Sequence, residues 1–170
     1  MGESLTRAVT SFFTSGGLLP EVNNTLIVLI PKSQSPTSFS HFRPISLCNI
    51  IYKTISKLIV AKMRPLLHKL ISPSQSAFIP DRWIVKNQVL VHELLHSFKK
   101  RKVKYGIMAT KLDLQKVYDK VNWKFLEAVL SKFGFHKNFV TWIMVCVRTI
   151  SSAILINGGV MNQFKPSRGL

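Results

Sequence analysis

Acidic residues are scarce in this chain of 170 residues: seven aspartates and glutamates stand against 24 lysines and arginines, and the formal net charge is +17. An excess of this size goes beyond what solubility requires, and it predicts a polyanionic partner, most commonly nucleic acid. An acidic membrane surface is the alternative partner. The basic residues are scattered along the chain and not gathered on one amphipathic helix, which counts against a membrane.

Cysteines and long apolar runs are also few. The two cysteines, Cys48 and Cys146, form no metal-binding pattern and are expected to be buried thiols of an intracellular protein, nuclear or cytoplasmic. No signal peptide is visible, because Glu3 comes early and no apolar segment follows it. The longest apolar runs, such as Leu26–Pro31, are too short to span a bilayer. We therefore expect no transmembrane segment.

Apolar residues, by contrast, make up 46% of the chain, which is enough to form the core of one domain of this length. Their periodicity predicts a chain that mixes helices and strands, either α/β or α+β. Helices are predicted over residues 2–15, with Val9, Phe12 and Phe13 on one side, and over 49–70 with a kink at Pro65. Further helices are predicted over 87–99, around 123–133 with Gly134 just after the end, and from a cap at Asn138 to about Arg148.

Three segments have the pattern of β-structure. Residues Asn24–Lys32 predict a strand buried on both faces, because the run is apolar and rich in β-branched side chains. Residues Tyr105–Asp113 alternate weakly and predict a second strand. The segment Ser152–Phe164 predicts a hairpin that turns at Asn157-Gly158. Residues 33–41 and 72–82 are expected to be loops, because they are rich in serine, proline and other turn-forming residues.

Two of the seven acidic residues lie in one short stretch, KLDLQKVYDKVNW (Lys111–Trp123). Asp113 ends a predicted strand, where carboxylates bind divalent metals in many nucleotide-handling enzymes, and Mg²⁺ prefers such oxygen ligands. The alternative is an ordinary turn or capping residue. Asp119 follows six residues later, a poor spacing for one helical face, and is expected to be a surface or capping acid.

A second candidate site is the HExxH pattern of His92, Glu93 and His96 on a predicted helix. Histidines four apart share a helical face and could bind Zn²⁺ with the glutamate as general base, as in a zinc metalloprotease. A catalytic zinc needs a third protein ligand, and none stands in a recognisable motif. The alternative is an amphipathic helix with no metal.

The stretch KLDLQKVYDKVNW resembles motif A of reverse transcriptases, especially those of plant-type non-LTR (LINE-type) retrotransposons, whose pattern is close to K-L-D-x-x-K-A-[FY]-D-x-V-x-W. Further blocks resemble other segments of the same family, in the same order. They are NNTLIVLIPK (Asn23–Lys32), the R-P-I-S-L block (Phe42–Met63), the block LISPSQSAFIPDR (Leu70–Arg82), and LINGG…FKPSRGL (Leu155–Leu170). The resemblance covers nearly the whole chain.

This resemblance implies an α+β fold, namely the fingers and a partial palm of a right-hand polymerase, truncated before the Asp-Asp hairpin. The fingers-like part would end near residue 104, and the palm would begin near residue 105. The implied activity of an intact relative is RNA-directed DNA synthesis by two-metal nucleotidyl transfer with Mg²⁺. Its partners would be an RNA template, a DNA primer and deoxynucleoside triphosphates.

The resemblance also assigns roles to individual residues. Asp113 matches the catalytic metal ligand, and the backbone carbonyl of Leu114 would join it. Tyr118 matches the steric gate, an aromatic ring that crowds the 2′ position of the sugar; the alternative is simply a buried aromatic residue. Lys32 and Arg43 match residues that grip the triphosphate, for which a point charge and a planar fork are suited. The residues implied to lie near the template or the nucleotide are Gln75, Arg82 and Lys111.

The chain also departs from the family pattern. Asp81 replaces a usual glycine that would permit a positive φ. Val117 replaces a usual alanine beside the gate and is expected to crowd the nucleotide pocket. No two aspartates are adjacent, and Asp113 alone cannot hold two metal ions. We therefore expect the chain to be inactive by itself, as a partial gene product or part of a decayed element. The alternative is a non-catalytic, basic nucleic-acid-binding fragment, with lysines at Lys99–Lys104, Lys111, Lys116 and Lys120 around the predicted site.

Overall fold

The computed structural model describes residues 2–100, 107–114 and 116–169. Two compact units share these residues: the larger contains residues 1–59 and 116–170, and the smaller contains residues 60–115. None of the helices in the described ranges is long and apolar enough to cross a membrane. The division into fingers-like and palm-like parts near residue 104 stays a prediction.

A mixed four-stranded sheet forms the centre of the larger unit, with strand order β2-β1-β3-β4. β1 pairs antiparallel with β2 and parallel with β3, and β3 pairs antiparallel with β4. The strands are β1 (Asn24–Pro31), β2 (Phe42–Leu47), β3 (Ser151–Ile156) and β4 (Gly159–Val160). This small sheet, combined with helices, confirms the α+β class.

Helices supply the rest of the regular structure. They are α1 (Gly2–Ser15), α2 (Ile50–Met63), α3 (Leu67–Leu70), α4 (Ile84–Lys100), α5 (Trp123–Lys132) and α6 (Lys137–Arg148). A 3-10 turn at Arg64–Leu66 separates α2 from α3, which confirms the predicted break at Pro65. Proline causes this break because it lacks the amide that would continue the helix.

The core of the larger unit lies where α1, α2 and α6 meet. Val9 and Phe12 of α1 pack with Ile55 and Ile59 of α2 and with Cys146 of α6. The predicted apolar side of α1 is confirmed, because positions three residues apart face the same way on a helix. The ring of Phe13 also meets Trp142 edge to face at 5.0 Å, which extends the core across α6.

Burial raises the pKa of two titratable groups of this core still further above physiological pH. Burial raises the pKa of the Cys146 thiol to about 11. It also raises the pKa of Tyr52 to about 12, with smaller contributions from Cys146 and Cys48. Cys146 is therefore the buried, inert thiol that the sequence predicts, whereas Cys48 is only half-buried.

Helix ends and the hairpin follow the predicted turn chemistry, with one correction. Gly134 (φ 80°) ends α5 as predicted, and the next amide, that of Phe135, donates to the carbonyl of Leu130 as in a Schellman motif. The cap of α6 is His136, not Asn138, because its Nδ1 accepts from the Asn138 amide at 3.3 Å. The turn at Asn157-Gly158 joins β3 to β4, with positive φ at both residues.

The strand predictions for the first part of the chain need two corrections. β1 exists, but it is not buried on both faces, since Leu26 is 37% exposed and Ile30 is 43% exposed. An apolar run cannot specify how many faces its neighbours will cover. β2 was not predicted, and it contains Pro44. In the described sheet β2 is an edge strand, where proline is tolerated.

The smaller unit consists mainly of α3, α4 and the loop between them, with the described part of the segment that follows. The strand predicted for Tyr105–Asp113 is wrong for the part that the structure describes. Residues 107–114 have no regular structure and are exposed. A weakly alternating run forms a strand only when another strand pairs with it. Residues 101–106, which contain most of the basic run and the start of this predicted strand, lie outside the described residues.

Candidate nucleotide and nucleic-acid site

Two predicted phosphate-binding residues lie side by side on the ribbon formed by β1 and β2. Arg43 stands opposite Ile30 in the antiparallel register. Lys32 comes two residues after Ile30, and its amide continues the ladder by donating to His41 at 2.8 Å. Lys32 and Arg43 therefore project from the same face as diagonal neighbours, about 7–8 Å apart at the backbone. Both are exposed, so this face presents two positive charges to solvent.

The ammonium group of Lys32 donates to a neutral backbone group. Its ammonium Nζ donates to the backbone carbonyl of Ser40 at 2.8 Å, at the end of the loop between the two strands. A backbone carbonyl is neutral, so this bond leaves the positive charge of the ammonium group uncompensated. An anion that reaches this face would find the charge available.

Asp113 lies in the exposed segment that ends the smaller unit. Lys111, Asp113 and Leu114 are all exposed, and the segment has no regular structure. No group of three or more His, Cys, Asp or Glu side chains able to hold a metal ion occurs in the described ranges. One carboxylate and an adjacent backbone carbonyl suit Mg²⁺, since that ion binds proteins through one or two carboxylates and takes its other oxygens from water and substrate phosphates.

The predicted gate, Tyr118, begins a 3-10 turn that ends at Lys120 in the larger unit. Its side chain is 56% exposed. The ring is therefore not a core residue, which was the alternative explanation for an aromatic at this position. Val117 directly before it is also exposed, and the expectation that it crowds the nucleotide stays a prediction.

Arg82 stabilises the loop before α4. Its guanidinium group donates to three backbone carbonyls of the loop before α4, at 2.6 Å to Ser72, 2.7 Å to Gln75 and 3.1 Å to Ile71. This pattern uses the planar fork of arginine to hold the loop in one shape. The role near the template predicted for Gln75 and Arg82 stays a prediction.

Asp81, the residue that replaces a usual glycine, has φ 57°. The position therefore has the left-handed backbone conformation that the family's glycine would permit, and aspartate tolerates that conformation better than most residues. Its carboxylate lies 3.9 Å from His68 Nε2 of α3. The substitution is thus compatible with the loop that Arg82 organises.

We expect Arg82→Lys to loosen this loop without unfolding the protein. Lysine keeps the charge but cannot serve three carbonyls with one planar group, so about 1–3 kcal/mol of local stabilisation should be lost. Amide hydrogen exchange across residues 71–82 should accelerate by about fivefold to a hundredfold. Arg64→Lys, at an exposed arginine of the same unit, is the matched control. Equal exchange in both variants would contradict the assignment.

The HExxH residues lie on α4, and His92, Glu93 and His96 are all exposed. The two histidines share a face, as their spacing requires, but no third ligand gathers with them in the part of the chain that the structure describes. The arrangement lacks the three protein ligands that a catalytic zinc site uses.

Sequence reasoning missed one contact near the gate. The indole Nε1 of Trp123 donates to the carbonyl of Gly169 at 2.7 Å, and the amide of Gly169 donates to the carbonyl of Val121 at 2.9 Å. The two ends of this contact are 46 residues apart, so periodicity gives no indication of it. The sequence signal was the occurrence of both residues in family blocks, Trp123 at the end of motif A and Gly169 in the block that ends FKPSRGL.

The predicted site residues thus fall into two groups. Lys32, Arg43 and Tyr118 belong to the larger unit, where the first two are neighbours on one face. Asp113 and Leu114 belong to the smaller unit and are consecutive. The residues of both groups are exposed to solvent.

Comparisons with known proteins agree on one family. A model of the family described as "Reverse transcriptase (RNA-dependent DNA polymerase)" matches residues 30–170. The chain is 26% identical over its whole length to "Transposon TX1 uncharacterized 149 kDa protein" from Xenopus laevis, of which it covers 13%. It is 23% identical over 156 residues, 91% of the chain, to "Retrovirus-related Pol polyprotein from type-2 retrotransposable element R2DM" from Drosophila melanogaster, of which it covers 14%.

The chain therefore spans about one seventh of the length of these relatives. The narrower plant-type assignment stays a prediction. Because the family model matches most of the chain and both relatives are encoded by transposable elements, the chain belongs to the reverse transcriptase family and carries part of a LINE-type reverse transcriptase domain.

Proposed function

We propose that this chain is the nucleotide- and primer-handling part of an RNA-directed DNA polymerase. The parent protein would extend a DNA primer on an RNA template, with deoxynucleoside triphosphates as substrates. The observation that most supports this is the exposed pair of Lys32 and Arg43 on one face of the β1–β2 ribbon. A triphosphate needs concentrated positive charge with donors on one side, and this face supplies both.

Within this proposal, each side chain of the pair has its own task. Arg43 donates two parallel hydrogen bonds to phosphate oxygens, which fixes the orientation of the triphosphate. Lys32 supplies a mobile point charge that exchanges its bond to the Ser40 carbonyl for a phosphate oxygen. Its charge stabilises negative charge that develops on the leaving pyrophosphate.

Reverse transcriptases generally use divalent metal ions. In this chain the carboxylate of Asp113 and the carbonyl of Leu114 would hold Mg²⁺, which lowers the pKa of a primer 3′-hydroxyl and neutralises triphosphate charge when bound. No two aspartates are adjacent in the sequence. The chain therefore offers at most one partial metal site, and the remaining carboxylates must come from elsewhere in the parent protein.

Tyr118 is the proposed gate for the sugar. Its half-exposed ring can pack against the face of a deoxyribose, which has only hydrogen at the 2′ position. A ribose would place a hydroxyl group against the ring, and the loss of that group's water contacts would disfavour binding. This activity takes place in the nucleus or the cytoplasm, where RNA templates are found.

The test is an equilibrium binding measurement of labelled dGTP in the presence of Mg²⁺, using the chain and an Arg43→Gln variant. Charge-assisted hydrogen bonds contribute about 1.5–3 kcal/mol, so we expect the variant to bind dGTP at least about tenfold more weakly. Lys57→Gln, at an exposed lysine of α2, removes the same unit of charge away from the ribbon and is the matched control. Equal weakening by both variants would mean that only net charge matters and would refute a specific phosphate site.

The second candidate function is non-catalytic binding of nucleic acid. The net charge of +17 favours it, since phosphate contacts by scattered lysines bind without reading sequence. The two functions differ in what they require of Asp113. A binding module does not need that carboxylate, whereas the polymerase depends on it.

A further inference from the structure

Gly169 is fitted closely against the turn that begins at Tyr118. Its amide donates to the carbonyl of Val121 at 2.9 Å. A Cβ atom built on Gly169 would lie 3.0 Å from the carbonyl oxygen of Asp119 and 3.1 Å from its Cα. Gly169 also has φ +91°, which side chains rarely adopt. Both the space and the backbone conformation therefore require glycine at this position.

Trp123 holds Gly169 in this place. Its indole Nε1 donates to the Gly169 carbonyl at 2.7 Å. Trp123 is the first residue of α5, and the side chain of Asn122 caps that helix by accepting from the amides of Lys124 and Phe125. The indole is therefore anchored on a capped helix. Gly169 is bonded from both sides, by Val121 through its amide and by Trp123 through its carbonyl.

Short-range backbone hydrogen bonds form the turn. It is a 3-10 turn of three residues, with the amide of Lys120 donating to Val117 at 3.1 Å and that of Val121 donating to Tyr118 at 3.4 Å. The second bond is long for an amide–carbonyl pair and therefore weak. Gly169 lies against the backbone of this turn at Asp119 and therefore contributes to the position of the turn.

We infer that Trp123 and Gly169 are positioning residues that help to set the distance between the Tyr118 ring and the sugar of a bound nucleotide. They thereby contribute to the selection of deoxyribose over ribose. This inference rests on the proposed role of Tyr118 as the sugar gate. A gate discriminates only when its ring is held in a fixed position, because deoxyribose and ribose differ by a single hydroxyl group. Trp123 and Gly169 touch the turn and not the nucleotide, so they act through Tyr118.

The test uses the whole chain and the variant Trp123→Phe, which keeps an aromatic ring and removes the N–H donor. Loss of one hydrogen bond predicts exchange of the Gly169 amide about fivefold faster, measured by hydrogen exchange. The ratio of dGTP to GTP affinity, measured with Mg²⁺, should fall toward that of Tyr118→Ala. The affinity for dGTP itself should change much less than this ratio.

Two further variants keep the test decisive. Trp83→Phe makes the same substitution at a tryptophan that is 69% exposed, and it should change neither the exchange nor the ratio. Gly169→Ala reaches the same turn from its other side, because the added methyl group would meet the backbone of Asp119. It should lower the ratio even if Trp123→Phe fails to fold.

The outcomes separate the two levels of the proposal. Faster exchange with an unchanged dGTP to GTP ratio would mean that the Trp123 contact is merely structural, and it would overturn the inference. An unchanged exchange rate would overturn it as well. If Tyr118→Ala does not change the ratio, the gate in the proposed function is wrong. The inference then falls with the gate, although the exchange result would still establish the contact to Gly169.

Discussion

Asp113→Asn is expected to abolish primer extension by a polypeptide that carries this chain followed by an Asp-Asp turn. Asparagine has the same shape and retains one oxygen acceptor, but it lacks the negative charge that holds a divalent ion. Metal stabilisation of the reacting phosphoryl group contributes several kcal/mol. A loss of about 4 kcal/mol corresponds to a rate about a thousandfold lower. Incorporation of labelled dGTP on a DNA-primed RNA template measures the effect.

Asp113 is exposed, and substitutions at exposed residues usually change stability by less than about 0.5 kcal/mol. A loss of activity can therefore be separated from a loss of stability. Asp119→Asn is the matched control, since it makes the same change six residues later at another exposed aspartate. The control should retain most of the activity. Extension by the Asp113 variant at the control's rate would refute the metal-ligand role and favour the non-catalytic nucleic-acid-binding alternative.

Phe12→Ala is expected to cause the largest loss of stability. Phe12 of α1 is 1% exposed and packs against residues of α2 and α6. Its ring also meets that of Phe13 edge to face, with centroids 5.1 Å apart. Truncation of a buried phenylalanine to alanine costs about 3–5 kcal/mol, because apolar contacts are lost and a cavity is left. For a domain of modest stability, this is a large part of the total free energy of unfolding.

Urea denaturation followed by circular dichroism measures this change as a lower transition midpoint at an unchanged slope. Phe39→Ala is the control, because it removes the same ring from a site that is 87% exposed. It should shift the midpoint by an amount within the error of the measurement. A small effect of Phe12→Ala would mean that α1 does not form part of the folded core in solution.

Local sequence signals predicted the elements that depend on a few neighbouring residues. The break at Pro65, the end of α5 at Gly134 and the turn at Asn157-Gly158 follow from backbone geometry alone. The apolar face of α1 follows from helical spacing. Signals of this kind are reliable because the physical cause lies within one or two turns of the residue that carries it.

Predictions that depend on a distant partner were less successful. The segment 107–114 has the weak alternation of a strand but no regular structure. β2 is a strand despite Pro44, because it occupies one edge of the described sheet. The helix cap is His136 and not the predicted Asn138, because α6 begins at Lys137 and Asn138 already lies inside it. In each case the local sequence pattern does not indicate the residues that decide which structure forms.

The sequence by itself determined the family, the α+β class, the basic surface and the identity of the candidate residues, because these depend on composition and on ordered motifs. Tertiary structure alone decided how some of them are arranged. It placed Lys32 and Arg43 on one face, and it engaged Arg82 with three carbonyls of its own loop. It also joined Trp123 to Gly169 beside the gate. The physical reason is that hydrogen bonds and packing between residues far apart in the chain form only when folding brings them together.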